Sequence, residues 1–147
     1  MISRVVDGDL TRELRRRVMR PNLAPSDELP GDGVEDLVHF ATFDDAGALI
    51  GACFIAPRAC PWLSGDAPAW GLRQMATRPD RRRSGVGSSL LAAIMDFVGV
   101  PALIWCHARV EAADFYLRHG FVIDSDEYID ADTGMPHVRM HLTVVCT

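Results

Sequence analysis

The sequence predicts an α/β fold in which helices cover a mixed β-sheet. Two observations point there. Short β-type runs and helical runs follow one another in the order β-α-β-β-β-α-β-α-β-β, an alternation that packs helices onto a sheet. The chain has 147 residues, 48% of them hydrophobic, enough to build the core of one domain over residues 1–147.

Each element has a local reason. Residues 2–6 read as a short strand. Asp9 is placed to cap a helix with the apolar stripe Leu10, Leu14 and Val18 that ends at Pro21, and the Arg15-Arg16-Arg17 run reads as its solvated face. The Pro-, Asp- and Gly-rich stretch 21–33 predicts a surface loop. Runs 35–43 and 49–56 flank Asp44-Asp45-Ala46-Gly47, which is a hairpin signal. Pro57, Pro61, Gly65 and Pro68 make 57–68 a second loop, and a strand from Trp70 to Thr77 then runs up to Pro79. From Gly85 the apolar period changes from two to 3.6: Val86, Leu90, Ala93, Ile94 and Phe97 define one buried helical face. Gly99 and Pro101 end that helix before a short strand, Ala102 to Cys106. A last helix runs from about Val110 to His119, with Gly120 as its left-handed cap. Two strands follow, about 121–128 and 137–145, joined by a turn at Asp132-Thr133-Gly134.

Composition excludes several classes. Net charge is −5, which argues against general affinity for nucleic acid. No apolar run approaches the roughly 18 residues that span a bilayer, so no membrane association is expected. The N-terminus turns acidic at Asp7 before any long apolar stretch, so no signal peptide is expected and the expected location is the cytoplasm. Cys53, Cys60, Cys106 and Cys146 are widely spaced and read as reduced, part-buried side chains. A zinc site from Cys106-His107 with His137 or His141 matches no metal-ligand spacing, and no metal is expected. The chain contains no lysine; all 15 basic residues are arginines. Any anion site must therefore use guanidinium groups and backbone N–H groups.

The informative segment is Met75 to Ser89, which carries four arginines and two glycines between a strand and a helix. A helix N-terminus offers unpaired N–H groups and partial positive charge. Gly85 and Gly87 let a phosphate approach the backbone, Arg82 and Arg83 supply charge-assisted hydrogen bonds, and Ser88 and Ser89 add hydroxyls. Together these read as a pyrophosphate site. A plain solvated turn explains less of the coincidence. A dinucleotide loop would need its third glycine where Leu90 stands, and a P-loop would need a Gly-Lys-Ser/Thr.

Arg82-x-x-Gly85-x-Gly87 resembles the Q/R-x-x-G-x-G/A signature of the GCN5-related N-acetyltransferase (GNAT) superfamily. The strand ending Leu72-Arg73-Gln74-Met75-Ala76-Thr77 and the later Ala112-Ala113-Asp114-Phe115-Tyr116-Leu117-Arg118-His119-Gly120-Phe121 are similar to two further family elements. The resemblance implies a mostly antiparallel sheet of about seven strands, splayed between the strands ending at Thr77 and near Cys106. It implies acetyl-CoA as acyl donor, with pantetheine along Met75, Ala76 and Thr77 and the pyrophosphate on Arg82, Arg83, Ser84, Gly85, Val86, Gly87 and Ser88. Arg109 is counted in the same cofactor-binding set.

Acyl transfer to an amine needs a neutral amine, a polarised carbonyl and a protonated leaving thiolate. By resemblance Tyr116 is the acid, and a backbone N–H near Met75 or Ala76 polarises the carbonyl. Many family members carry a Glu on the strand before the phosphate loop, but Trp70 to Thr77 has no acid. The alternatives are proton loss through ordered water or to a residue of another strand; His137 is the first candidate residue, because imidazole titrates near neutral pH, and His39 and His107 are weaker ones. Asp124, Asp126, Glu127, Asp130 and Asp132 offer a surface for a cationic acceptor, or a solvated turn. The expected partner is an amine-bearing small molecule or peptide, with acceptor pockets formed by 21–33 and 57–69. Oligomeric state is open, a homodimer included. The competing reading is a non-catalytic acyl-CoA-binding module or sensor.

Overall fold

The computed structural model describes residues 1–146. Its elements are strands β1 (Ile2–Val6), β2 (Val38–Phe43), β3 (Leu49–Ala56), β4 (Ala69–Thr77), β5 (Ala102–Arg109), β6 (Val122–Ile123), β7 (Tyr128–Ile129) and β8 (Pro136–Val144), with helices α1 (Gly8–Met19), α2 (Val86–Val98) and α3 (Ala113–Arg118). The eight strands make a mixed, mostly antiparallel sheet. The chain divides into two compact units, Met1–Ala56 with Leu72–Val98, and Pro57–Gly71 with Gly99 onward. Among the described residues no helix is long and apolar enough to cross a membrane.

In the first unit β1 pairs antiparallel with β2 from Ile2↔Phe43 to Val6↔His39, and β2 pairs antiparallel with β3. The hairpin turn is where the sequence places it. Asp44 Oδ1 accepts from Ala46 N and Ala48 N at 3.0 and 2.9 Å, and Gly47 takes φ +81°, the left-handed region that favours glycine. The core is built from Phe40, Ile50, Phe54, Ile55, Leu90, Leu91 and Ile94, all at most 2% exposed. Burying side chains of this size contributes about 1.5–3 kcal/mol each.

Three details of the helices differ from the sequence expectation. The α1 cap is Asp7, whose Oδ1 accepts from Asp9 N at 3.0 Å, because the chain leaves β1 one residue before the helix begins. The buried residues of α1 are Thr11 and Arg15, whereas Leu10 is 52% exposed. In α2 Leu91 joins the buried face and Phe97 lies at 46% exposure, its ring edge-on to Phe40 at 5.9 Å.

In the second unit the start of β4 pairs parallel with β5, Ala69↔Leu103 to Gly71↔Trp105. β5 pairs antiparallel with β8 along its whole length, Ala102↔Val144 to Arg109↔His137. Ile104, Cys106 and Ala108 opposite Leu142, Met140 and Val138 form the buried rows of this ladder. The other rows, Trp105, His107 and Arg109 opposite His141, Arg139 and His137, form the face with the polar side chains. The last helical stretch begins as a 3-10 turn, Val110–Ala112, so α3 is shorter than expected, and Gly120 follows it at φ +91°.

The strand expected over 121–128 is split into β6 and β7, which makes eight strands instead of about seven. Asp124 N still donates to Arg139 O at 2.8 Å, but Arg139 N donates to the Ser125 hydroxyl at 2.9 Å. A side chain has replaced a ladder carbonyl, and the strand breaks there.

Candidate active site

The first unit holds the arginine-rich loop. After β4, Arg78 N donates to Ile50 O at 2.8 Å and Pro79–Arg81 forms a 3-10 turn. Two of the loop's arginines are neutralised locally. Arg78 pairs with Asp80 at 2.6 Å, and Arg81 reaches Asp44 at 2.8 Å, the same carboxylate that organises the hairpin turn. Arg82 and Arg83 are exposed and make no side-chain hydrogen bond or ion pair among the described residues. Arg83 takes φ +64°, a left-handed backbone that costs a non-glycine residue about 1–2 kcal/mol, and Gly85 follows at φ +88°.

α2 begins directly behind this turn with no acidic residue in its first turn. Its first N–H groups have no intrahelical acceptor; the ladder starts with Ser89 N donating to Gly85 O at 3.0 Å. Val86 anchors the turn from below. It is 2% exposed and lies so close over Gly51 that a Cβ added there would stand 2.2 Å from Val86 Cγ1. At Gly85 an added Cβ would meet only Met1 Cε, at 3.8 Å, so space above the turn is open. Left-handed backbone, two guanidinium groups unpaired among the described residues and a helix N-terminus fit a pyrophosphate.

Ser89 does not serve the loop as expected. Its hydroxyl bonds Ser3 Oγ at 2.6 Å, which in turn bonds Thr42 Oγ1 at 2.6 Å, so it faces β1 and β2. Ser84 Oγ donates to Arg81 O, and Ser88 is exposed.

Next to the loop, β4 carries Met75, Ala76 and Thr77, with Ala76 1% exposed. The residue before them, Gln74, has φ +54° and a buried side chain. Arg15 of α1 holds that side chain: Nη1 donates to Gln74 Oε1 at 2.9 Å, Nε to Thr11 Oγ1 at 3.1 Å and Nη2 to Gly8 O at 3.3 Å. The guanidinium also lies 5.7 Å from the Phe54 ring centroid. Arg15 is 3% exposed, so the expected solvated arginine face of α1 is corrected: the side chain is turned inward to a polar group that sequence spacing does not reveal. Nearby His39 is held below its ordinary pKa by burial and then by the Arg15 charge, and its Nδ1 has no hydrogen-bond partner among the described residues.

In the second unit Tyr116 is 7% exposed, with Phe115 and Phe121 edge-on at 5.2 and 5.0 Å. Its carbonyl accepts from His119 N at 3.0 Å and from Phe121 N at 3.1 Å, which fixes the helix end around Gly120. His137 is 6% exposed, and its Nδ1 lies 2.8 Å from Met135 O, so Nδ1 carries the hydrogen and Nε2 the lone pair. Arg109 stands opposite His137 and pairs loosely with Glu111 at 3.8 Å.

The polar face above this ladder is crowded with rings. His107 Nδ1 meets Tyr128 OH at 2.5 Å, Trp62 lies edge-on to Trp105 and His107 at 5.4 and 5.3 Å, and Arg139 stacks 5.4 Å from Trp62 and 5.9 Å from Tyr128. Asp124 is not a solvated acid of the terminal hairpin. Its Oδ2 accepts from Trp62 Nε1 at 2.8 Å and lies 2.6 Å from His141 Nδ1. Asp130 likewise caps the turn at Thr133 through N and Oγ1, both at 3.0 Å. Only Asp126, Glu127 and Asp132 of that stretch are exposed. Burial, and secondarily the Asp124 charge, pushes the Cys106 thiol up to about 12, so it is inert as a nucleophile at neutral pH.

Residues 35–123 match the family model described as an acetyltransferase (GNAT) domain. The chain belongs to this family. The GNAT fold is also that of an aminoglycoside 6'-N-acetyltransferase solved with coenzyme A, at TM-score 0.75 and 16% identity over 100% of this chain and 99% of that one. A histone acetyltransferase HPA2-related protein from Corynebacterium glutamicum superposes at TM-score 0.73 with 18% identity, over 99% of this chain and 97% of that one. A mycothiol acetyltransferase from Mycobacterium sp. (strain JLS) is 37% identical over 86 residues, 58% of this chain and 26% of the relative. A UPF0039 protein from Mycobacterium bovis is 36% identical over 78 residues, 52% of this chain and 47% of the relative. The chain thus matches half or less of the length of these curated relatives.

The basic turn at Arg82–Gly87 ahead of α2 is legible in the sequence because its residues are contiguous. The Arg15–Gln74 and Asp124–His141–Trp62 contacts were missed, since each joins residues 17 to 62 positions apart through the sheet register.

Proposed function

We propose that this protein transfers an acetyl group from acetyl-CoA to a primary amine, with residues 1–147 acting as a single acyltransferase domain in the cytoplasm. The observation that carries the reading is the loop at Arg82–Ser88: two arginines unpaired among the described residues and a left-handed turn, set at a helix N-terminus with no acidic residue in its first turn. Arg82, Arg83, Ser84, Gly85, Val86, Gly87 and Ser88 hold the pyrophosphate, and Arg109 adds a further guanidinium to the cofactor set. Met75, Ala76 and Thr77 hold the pantetheine arm by their backbone. Acetyl-CoA supplies the activated thioester.

The chain's own residues supply the rest. A backbone N–H at Met75 or Ala76 polarises the carbonyl; the left-handed Gln74 just before it supports a backbone re-aimed at this point. The Tyr116 hydroxyl protonates the departing sulfur, and the edge-on rings of Phe115 and Phe121 restrict its motion. An imidazole on β8 takes the amine proton; His137 is the one the sequence nominates, and its Nδ1 contact to Met135 O leaves Nε2 as the acceptor atom. The acceptor is a small amine-bearing molecule or a peptide amine. The names of a mycothiol acetyltransferase among the sequence matches and of an aminoglycoside 6'-N-acetyltransferase among the structures of the same fold support a small amine-bearing acceptor.

The test is thiol release from acetyl-CoA across a panel of amines, comparing the protein with Tyr116→Phe. Turnover on at least one amine that falls about 10–100-fold in Tyr116→Phe is expected. Tight acetyl-CoA binding with no turnover on any amine points instead to an acyl-CoA sensor.

A further inference from the structure

β4 carries no acid between Trp70 and Thr77, which leaves ordered water or a residue of another strand to take the amine proton. β8 presents two imidazoles on its polar face, His137 and His141, four residues and hence about 13 Å apart. One of them is set against a carboxylate. His141 Nδ1 lies 2.6 Å from Asp124 Oδ2, and the same oxygen receives Trp62 Nε1 at 2.8 Å. Asp124 arrives there because β6 pairs Val122 with His141 and Asp124 N donates to Arg139 O at 2.8 Å.

We infer that Asp124 and His141, in place of the His137 that the sequence nominates, form the proton-accepting dyad for the acceptor amine, a role that rests on the acyl-transfer reading above. An ionised carboxylate only accepts, so His141 Nδ1 carries the hydrogen and Nε2 keeps its lone pair. The carboxylate fixes the tautomer and the ring orientation. Side-chain exposures of 19% for His141 and 14% for Asp124 leave the ring accessible while excluding most water around the pair. Trp62 holds Asp124 in place and is itself held by Trp105, His107 and Arg139. A simple latch for the 57–71 loop would need only the Trp62–Asp124 bond; the part-buried carboxylate on an imidazole goes beyond it.

The step balances without a further reagent. The amine nitrogen forms the N–C bond and gives its proton to His141 Nε2. The C–S bond breaks, the sulfur takes the Tyr116 hydroxyl proton, and the imidazolium and tyrosinate return to their resting forms through solvent. The titratable and charged groups around the dyad are Cys106 and His107 of β5, Tyr128 of β7 and Arg139 of β8.

The experiment uses the full chain with acetyl-CoA and, as acceptors, glucosamine, tobramycin and a lysine-containing peptide. kcat/KM is followed against pH for the protein, His141→Gln, Asp124→Asn and His137→Gln. Long-range 1H–15N spectra read the His141 tautomer independently of activity. His141→Gln is expected to lower kcat about 100-fold with acetyl-CoA affinity unchanged, to lose the acidic limb, and to recover rate with added imidazole. Asp124→Asn is expected to lower kcat and to change the Nδ1–H signature, whereas His137→Gln keeps the acidic limb. The proposal is overturned if His141→Gln keeps the parent rate and profile, or if the limb vanishes in His137→Gln instead. Should His141→Gln fail to fold, Asp124→Asn decides: a parent rate and tautomer there sinks the dyad. A protein that binds acetyl-CoA but acetylates none of the three acceptors overturns the transferase reading and the dyad's role with it, while the spectra still report the tautomer.

Discussion

The Arg15 guanidinium donates to Gln74 Oε1 at 2.9 Å, joining helix α1 to a β4 residue whose φ is +54°. A buried cation is thus bound to a strand position that carries backbone strain, immediately before the residues assigned to pantetheine. Arg15 has neutral acceptors in Thr11, Gly8 and Gln74, and burial lowers its pKa. Removing it leaves several polar groups unsatisfied at once. Arg15→Ala is therefore expected to destabilise the fold by about 2–4 kcal/mol, read from urea denaturation. Arg17→Ala, on the exposed side of the same helix, is expected to stay within about 0.5 kcal/mol. Equal effects at the two positions would show that Arg15 is not buried in solution.

Gly51 and Val86 set the height of the Arg82–Gly87 loop above the sheet. A Cβ on Gly51 would come within 2.2 Å of Val86 Cγ1, so α2 must shift to admit it. Gly51→Ala is expected to cost about 1–3 kcal/mol of stability and to weaken acetyl-CoA binding. Adding Val86→Ala removes the clashing methyl and should recover part of both, as a double-mutant cycle would measure.

The loop itself makes a sharper prediction about binding. Gly85 adopts φ +88°, a conformation that a β-branched residue resists, and Arg82 has no partner among the described residues to occupy it. Gly85→Val and Arg82→Ala are each expected to weaken acetyl-CoA binding about tenfold or more in titration calorimetry, while Arg17→Ala leaves it unchanged. Binding that is indifferent to all three would remove the pyrophosphate assignment.

Acid should destabilise the protein in two stages. Burial holds folded His39 below its ordinary value, so the unfolded chain binds more protons and stability present above about pH 6.5 is lost as pH falls through the folded pKa. Asp32, held low by the Arg12 hydrogen bond, and Asp44, held low by the Ala48 N–H, contribute stability above about pH 4 that is lost on further acidification. The urea midpoint is expected to fall in these two steps, and His39→Leu to flatten the first. A midpoint that rises on leaving neutrality would contradict the assignment.

The sequence by itself determined the elements with local causes. Asp44–Gly47 specifies its hairpin through one carboxylate and one left-handed glycine, and Arg82–Gly87 specifies its loop because every group involved lies within a few residues. The buried face of α2 was legible for Val86, Leu90 and Ile94 by period alone. Tertiary structure decided what depends on register and on which face of an element meets a neighbour. Arg15 reads as one of three surface arginines until β4 places Gln74 beside it, and Asp124 reads as a solvated acid until β6 and β8 align it with His141. The physical reason is common to both: a hydrogen bond between distant residues leaves no period or spacing in the chain, since its partners are chosen by the ladder that brings them together.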